Sequence, residues 1–197
     1  MENFKNYAVA SIAICAIAMC GAAVSTTAEH PAIVISNHQQ SDTISTEQFI
    51  QQMSVGSSKE INLSKLAKVR TKNSKVREYA IKVMDACILA NADLKPLAAA
   101  KGMTLADSST VEPDEALTTL SKSKNKGFDK KYLEASLESH GQTIAMLEKG
   151  VMSKDTTVAG LATKFLLVWR RNVEGAQFLS KSIQNGKMVA DGPPKEE

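Results

Sequence analysis

The chain has 197 residues, which is enough for one domain with a sizeable hydrophobic core. Because aromatic residues make up only 5% of it while alanine, leucine and lysine are frequent, the composition favours a helical, soluble protein. The formal net charge of +3 is too small to imply a polyanionic partner, and the sequence carries no nucleic-acid-binding motif. It also carries no glycine-rich phosphate loop, C-x-x-C pair or H-E-x-x-H motif. The sequence therefore favours a non-enzymatic protein that does not bind nucleic acid.

Residues 1–25 have the features of a secretory signal. A short basic region precedes the uncharged run 8–24, and small residues follow it, with cleavage expected after Ser25 and no later than Ala28. The sequence therefore predicts export to the periplasm or cell envelope. An uncleaved signal would instead anchor the chain in the membrane, although this alanine-rich run is short for a span. A third alternative is lipidation at Cys20, which follows a larger residue than a lipoprotein signal normally has there.

Two polar stretches flank the part of the chain that has helical periodicity. Residues 26–42 show no helical period and hold polar and turn-forming residues, so we expect a flexible linker. Residues 187–197 are also polar and are expected to form a loose tail. The folded domain is therefore predicted to span residues 43–186.

The first two long helices are predicted from capping residues and hydrophobic periodicity. The first begins near residues 43–46, where Ser45 and Gln48 have the spacing of a capping box. The second begins at Asn73 or the residue after it and ends at Gly102, a suitable residue to follow a helix C-terminus. Pro96 lies inside this second pattern and predicts a kink or break near residues 92–95.

A short helix and two further long helices complete the pattern. The short helix follows Pro113, and the long ones span about residues 128–153 and 155–184. Short links within the first pair and within the last pair of long helices predict neighbouring, antiparallel helices. The fold class is therefore all-α: an antiparallel four-helix bundle, with a short extra helix in the crossover between the second and third long helices.

The third long helix has the most regular apolar row, with steps of three and four residues. A second, parallel row runs beside it. The first row is Leu133, Leu137, His140, Ile144, Leu147 and Val151, and the second is Tyr132, Ser136, Ser139, Thr143 and Met146.

Each of the four apolar rows carries one polar or soft residue near its middle: Glu60, Cys87, His140 and Asn172. A buried polar group without a partner costs about 1–3 kcal/mol, so four such residues at similar depth favour a cluster in which they satisfy one another. Facing helices of a bundle are also where metal sites are built, and carboxylate, thiolate and imidazole are competent ligands.

Each of these residues also has an ordinary structural explanation. His140 would be a hydrogen-bonded core residue, Asn172 would fix the register of the helices, and Cys87 would pack as a small hydrophobic residue. Glu60 would reach water if it lay one step off its row. Periodicity alone leaves the metal site and these explanations open.

The four long segments resemble the exported bacterial proteins grouped as domain of unknown function 4142, which are regarded as ferritin-like helical bundles. The similarity extends over about residues 46–182, and its most specific pieces are the turn Leu97–Leu105 and the helix start Phe128–Tyr132. The resemblance implies a ferritin-like bundle and carries no established enzymatic activity.

The resemblance also implies a site. Family members typically have a Glu in the first helix, an Asp-His pair in the second and in the third, and a His in the fourth. This chain keeps only the Glu and one His, so the implied metal site is degenerate. Such a site could still bind Zn or Cu through the cysteine. The family positions are occupied here by Glu60, Ala86, Cys87, Ser139, His140 and Asn172.

Taken together, these features predict an exported cell-envelope protein with a non-enzymatic binding or stress-protective role. Its partner would be an envelope component or a small ligand, with membrane contact only through an uncleaved signal or a lipidated Cys20. No resident cofactor is expected. The alternative is a metal-binding or redox protein whose degenerate site is formed by Glu60, Cys87, His140 and Asn172.

Overall fold

Five helices make up most of the chain that the computed structural model describes, residues 43–124 and 127–185. The predicted signal (1–25), linker (26–42) and tail (187–197) lie outside these residues. No strand occurs within the described ranges, which confirms the all-α class, and a short helix does interrupt the crossover. The helices are α1 (Thr46–Arg70), α2 (Ser74–Ala100), α3 (Glu115–Lys122), α4 (Phe128–Val151) and α5 (Thr156–Gln184).

Side-chain caps fix where these helices begin. The Ser45 hydroxyl accepts from the Gln48 backbone N–H at 3.1 Å, and the Gln48 side chain accepts from the Ser45 N–H at 3.3 Å. This reciprocal pair confirms the predicted capping box. Asn73, Asp114 and Asp155 cap α2, α3 and α5 in the same way, through side-chain oxygens that accept from N–H groups of the first turn.

Of the kink or break predicted near residues 92–95, the break does not occur, because α2 continues through Pro96 to Ala100. A proline removes the N–H that would bond the carbonyl four residues earlier, here that of Ala92. Both Ala92 and Pro96 are exposed, so water can satisfy that carbonyl. Leu97 and Ala98 are buried, and their packing holds the last turn of the helix in place.

The four long helices pack in a closed ring in the order α1, α2, α5, α4, each against two neighbours. The links α1–α2 and α4–α5 are short, so the helices of each pair run antiparallel. No helix among the described residues is both long enough and apolar enough to cross a membrane.

The crossover from α2 to α4 runs across the outer side of α1. Ser58 Oγ donates to the Ala106 carbonyl at 2.9 Å, and Asn62 Nδ2 donates to the Ser108 carbonyl at 2.6 Å. The α3 helix that follows packs on α1 and α4. The crossover therefore covers the α1/α4 side of the ring.

The buried face of α4 differs from the predicted one. Tyr132, Ser136 and His140 are fully buried, whereas Leu137 is only half-buried and Val151 is 37% exposed. Because α4 packs against both α1 and α5, its inward direction falls between the two rows that the sequence suggested. Tyr132 and Ser136 of the second row thus enter the core, whereas Ser139 and Thr143 are half-buried.

Candidate functional site: a buried carboxyl–imidazole network

Side chains from α1, α2 and α4 meet in the core and reach the backbone of α5. Ser136 Oγ donates to Glu60 Oε1 at 3.0 Å and lies 3.3 Å from His140 Nε2. The Tyr79 hydroxyl lies 3.1 Å from His140 Nε2 and 3.2 Å from Ser136 Oγ, and it donates to the Asn172 carbonyl at 3.1 Å. One hydrogen-bonded network therefore joins all four long helices.

Helical spacing and one glycine place these groups. Ser136 and His140 are four residues apart, so they share one face of α4. The Tyr79 ring lies directly against α5 at Gly175, where a Cβ would come within 3.3 Å of the ring carbons Cδ2 and Cε2. Tyr132 packs edge-to-face on Tyr79 with ring centroids 6.1 Å apart, and its hydroxyl lies 3.2 Å from Ser64 Oγ.

The hydrogen-bond pattern assigns the tautomer of His140. The Tyr79 hydroxyl has one proton, and the Asn172 carbonyl, which can only accept, takes it. The bond between Tyr79 and His140 must then be donated by the imidazole, so the proton of the neutral ring is on Nε2. Nδ1 is consequently left as an acceptor.

Burial controls the protonation of the network. Burial raises the pKa of the Glu60 carboxyl from 4.5 to about 7, against the opposing effect of the Ser139 and Ser136 hydroxyls and with a smaller rise from the charge of Asp114. Burial lowers the pKa of His140 from 6.5 to about 4, so its ring is neutral near neutral pH. Burial also raises the pKa of the Tyr79 hydroxyl, which stays protonated.

Several buried polar atoms have no hydrogen-bond partner among the described residues. They include Glu60 Oε2, His140 Nδ1 and Asn172 Nδ2. A buried polar atom without a partner costs about 1–3 kcal/mol. The network therefore has unused capacity for a donor, such as a water molecule or a ligand group, beside the carboxyl and the imidazole.

The structure brings two of the four predicted site residues into one network. Glu60 and His140 meet through the hydroxyl of Ser136. The alternative in which Glu60 reaches water is wrong, because its side chain is only 3% exposed. Asn172 is half-buried and enters the network through its backbone carbonyl rather than its amide.

Cys87 is fully buried on α2. Burial raises the pKa of its thiol well above the ordinary value, and the charge of nearby Glu60 raises it further, so the thiol stays protonated. Among residues 43–124 and 127–185, no group of three or more His, Cys, Asp or Glu side chains is arranged to hold a metal ion. The four-residue metal site remains a prediction.

Sequence reasoning missed Tyr79 and the inward position of Ser136. Ser136 and His140 are the signal that could have revealed the network, because a hydroxyl four residues before a core histidine lies within hydrogen-bond reach of it. Tyr79 immediately precedes the core residue Ala80 and gave no signal of its own.

A cleft of about 1090 Å³ lies beside the network, between α1, α3 and α4. Ser139 lines this cleft and directly precedes His140 of the network in the chain. The charged residues of the lining leave an excess of two negative charges, in contrast to the net positive chain. They are Lys59, Asp114, Glu115, Lys131, Glu134 and Glu138.

The fold and the site together define the class of protein: an all-helical bundle with a polar network at its centre. Within that class, the chain belongs to the family described as "Domain of unknown function (DUF4142)", whose model matches residues 34–179. This match confirms the family suggested by the sequence.

The solved structure titled "Crystal structure of DUF305 fragment from Deinococcus radiodurans" is similar in fold. The two align with a TM-score of 0.62 at 14% sequence identity, and the alignment covers 71% of this chain and 97% of that one. At this identity the similarity shows the fold alone. No curated protein matches the chain.

Proposed function

We propose that the protein is an exported cell-envelope bundle of the ferritin-like class that binds a small organic cation in the cleft between α1, α3 and α4, and acts by binding rather than by catalysis. The observation that carries this proposal is the cleft itself, with its volume of about 1090 Å³ and its acidic lining. A cleft of this size lies just above the range of about 300–1,000 Å³ that small-ligand pockets occupy, so it has room for a small ligand.

The charges and apolar surface of the cleft indicate the ligand. Glu134 and Glu138 lie one turn apart on α4, and both are exposed. Glu134 is partly neutralised by Lys130 at 3.7 Å, so Glu138 would be the stronger attraction for an ammonium group. Val55, Ala135 and Met146 provide apolar lining on which a methylene chain would pack. A short diamine combines these two features.

The reactive side chains of the core support binding over catalysis. Burial raises the pKa values of the Cys87 thiol and the Tyr79 hydroxyl and so holds both in their neutral forms. Burial also lowers the pKa of His140, which weakens the imidazole as a base at neutral pH.

Chemical-shift mapping tests the binding proposal. Putrescine, succinate and glucose are titrated separately into the purified, isotope-labelled protein, and we expect putrescine to shift the amides of residues 51–59 and 131–146. Glu138→Gln should weaken this effect. Glu148→Gln removes the same charge from the same helix outside the cleft lining, where the side chain is exposed and pairs with Arg170, and should leave it unchanged. Absence of shifts with all three probes would refute the proposal.

Fractionation of cells that produce the full-length chain tests export. We expect a shortened protein in the osmotic-shock fluid, as cleavage near Ser25 requires. Recovery in the membrane fraction would contradict cleavage to a soluble form. In that case release by Cys20→Ser would indicate lipidation, and continued retention would indicate an anchor.

The second candidate function is metal binding by the degenerate core site. It is favoured by the two buried atoms without partners, Glu60 Oε2 and His140 Nδ1, which are a hard oxygen and a borderline nitrogen donor. Those two donors alone do not complete a coordination shell, so Cys87 or Asn172 would have to join them.

Metal content and thermal melting test this candidate. Protein purified without a His tag should contain stoichiometric Zn or Cu, and its melting temperature should rise with added Zn²⁺ or Cu⁺. Cys87→Ser should abolish the rise. A metal-free protein whose melting ignores Zn²⁺, Cu⁺, Fe²⁺ and Mn²⁺ would exclude a metal site.

A further inference from the structure

The outer face of the α2/α5 pair carries three large apolar side chains that are exposed to solvent. Leu89 is 66% exposed, Leu167 is 63% exposed and Phe178 is 48% exposed. Val69, Val151 and Met152 are also exposed, but they lie at or just beyond helix ends. Ile88 is 49% exposed in the middle of α2. It lies five residues before Asp93, which pairs with Lys164 of α5, so it points about 140° around the helix from the side that faces α5. An exposed apolar strip in the middle of two helices is the kind of surface that marks an interface.

The contacts between α2 and α5 place these side chains together. Asp93 and Lys164 form an ion pair at 2.7 Å, and Tyr79 bonds the Asn172 carbonyl further along, which fixes an antiparallel register. Leu89 lies one turn before Asp93, and Leu167 lies one turn after Lys164, so the two leucines are neighbours across the pair. Phe178 lies three turns beyond Leu167 on the same side of α5.

Within the described residues, the α1/α4 face of the ring is covered, whereas the opposite α2/α5 face is not. The crossover and α3 lie over α1 and α4, where Ser58 and Asn62 hold the crossover backbone. Among residues 43–124 and 127–185, the crossover bonds Ser58 and Asn62 of α1 and α3 packs on α1 and α4, whereas the strip on the α2/α5 face stays exposed.

We propose that the α2/α5 face is an isologous interface through which two copies of this chain form a dimer. Its extent fits this assignment. Helices of 27 and 29 residues are about 40 Å long, and two side by side are about 20 Å wide. Such a face offers roughly 800 Å² per partner, which is the area that a standard protein interface buries.

The charges around the strip select a second copy over other partners. The exposed residues Lys82 and Asp85 on α2 and Arg171 and Glu174 on α5 place charges of both signs beside the strip. A two-fold axis brings the same patch against itself, so a patch with both signs can be complementary to its own copy. An anionic membrane or a polyanion would instead require a surface of one sign.

Sedimentation velocity over a wide range of concentrations tests the dimer, with Leu167→Lys as the disrupting variant. Val69→Lys is the matched control, because Val69 is 80% exposed near the end of α1 and outside the strip. We expect the wild-type protein and Val69→Lys to be dimers and Leu167→Lys to be a monomer at the same concentration. Unchanged helical circular dichroism in both variants would show that each remains folded.

Two outcomes would overturn the proposal. A wild-type protein that stays monomeric at high micromolar concentration would show that the face is bare or is covered by another part of the same chain. A dimer that persists in Leu167→Lys and in Phe178→Lys would place the interface elsewhere.

Discussion

Tyr79 of α2 and His140 of α4 are joined by a hydrogen bond of 3.1 Å between the phenolic oxygen and Nε2. Because the phenol gives its own proton to the Asn172 carbonyl of α5, it accepts from the imidazole and donates to the third helix at once. Ser136 extends the contact to Glu60 of α1. The centre of the bundle is therefore held by directional bonds as well as by apolar packing.

We expect Tyr79→Phe to destabilise the protein by about 2 kcal/mol, because it removes the hydroxyl bonds to the imidazole and to the Asn172 carbonyl and leaves the imidazole N–H only its longer contact with Ser136 Oγ at 3.3 Å. Tyr132→Phe is the control, since Tyr132 is also buried but its hydroxyl hydrogen-bonds only Ser64 among the described residues. It should cost about 1 kcal/mol. Urea denaturation measures both values, and equal losses would show that the network contributes no more than one ordinary hydrogen bond.

Glu60 and His140 make opposite contributions to the pH dependence of stability. The Glu60 pKa is raised from 4.5 to about 7, so its contribution is full below pH 4.5 and is lost as the pH rises to about 7. The His140 pKa is lowered from 6.5 to about 4, so its contribution is full above pH 6.5 and is lost as the pH falls to about 4. Between these pH limits, the two groups change the unfolding free energy in opposite directions as the pH rises.

Single substitutions should therefore reveal slopes that the wild-type protein hides. Between pH 4.5 and 6.5 we expect a nearly flat unfolding free energy for the wild type. In Glu60→Gln it should rise with pH, and in His140→Gln it should fall, each by on the order of 1 kcal/mol per pH unit. Urea titrations at several pH values measure these slopes. Parallel profiles for all three proteins would contradict the assigned protonation states.

The fold was more predictable from the sequence than the site was. Helix number, helix ends and the short crossover helix follow from local signals such as the Ser45 cap, which a single sequence contains. The network instead depends on which way each helix faces in the ring. Ser136 faces inwards because α4 is rotated slightly from the orientation that its apolar row predicted. Whether α2 continues through Pro96 depends on the exposure of Ala92 and Pro96 to water, which the sequence alone does not give.

Cys87 should behave as a core residue in the absence of metal. We expect Cys87→Ala to cost about 1–2 kcal/mol through the small cavity that it leaves. With Cys15 and Cys20 replaced by serine, native Cys87 should react with a thiol reagent only as fast as the protein unfolds, since the thiol is buried and protonated. Lys82→Cys, exposed on the same helix, provides the fast-reacting control. Rapid labelling of Cys87 itself would contradict its burial.

Gly175 and Gly160 on α5 offer a matched test of how tightly the Tyr79 ring is held. A Cβ at Gly160 meets nothing within 4 Å, whereas one at Gly175 comes within 3.3 Å of the Tyr79 ring. Replacing a helical glycine by alanine stabilises a helix by up to about 1 kcal/mol where there is space, so Gly160→Ala should be stabilising. Gly175→Ala should lose that gain and be net destabilising, because the ring cannot retreat without weakening the bonds of its hydroxyl to His140 and Asn172. Thermal or urea unfolding of the two variants measures the difference, and equal stabilisation by both would mean that the ring shifts freely and that the network is not rigid.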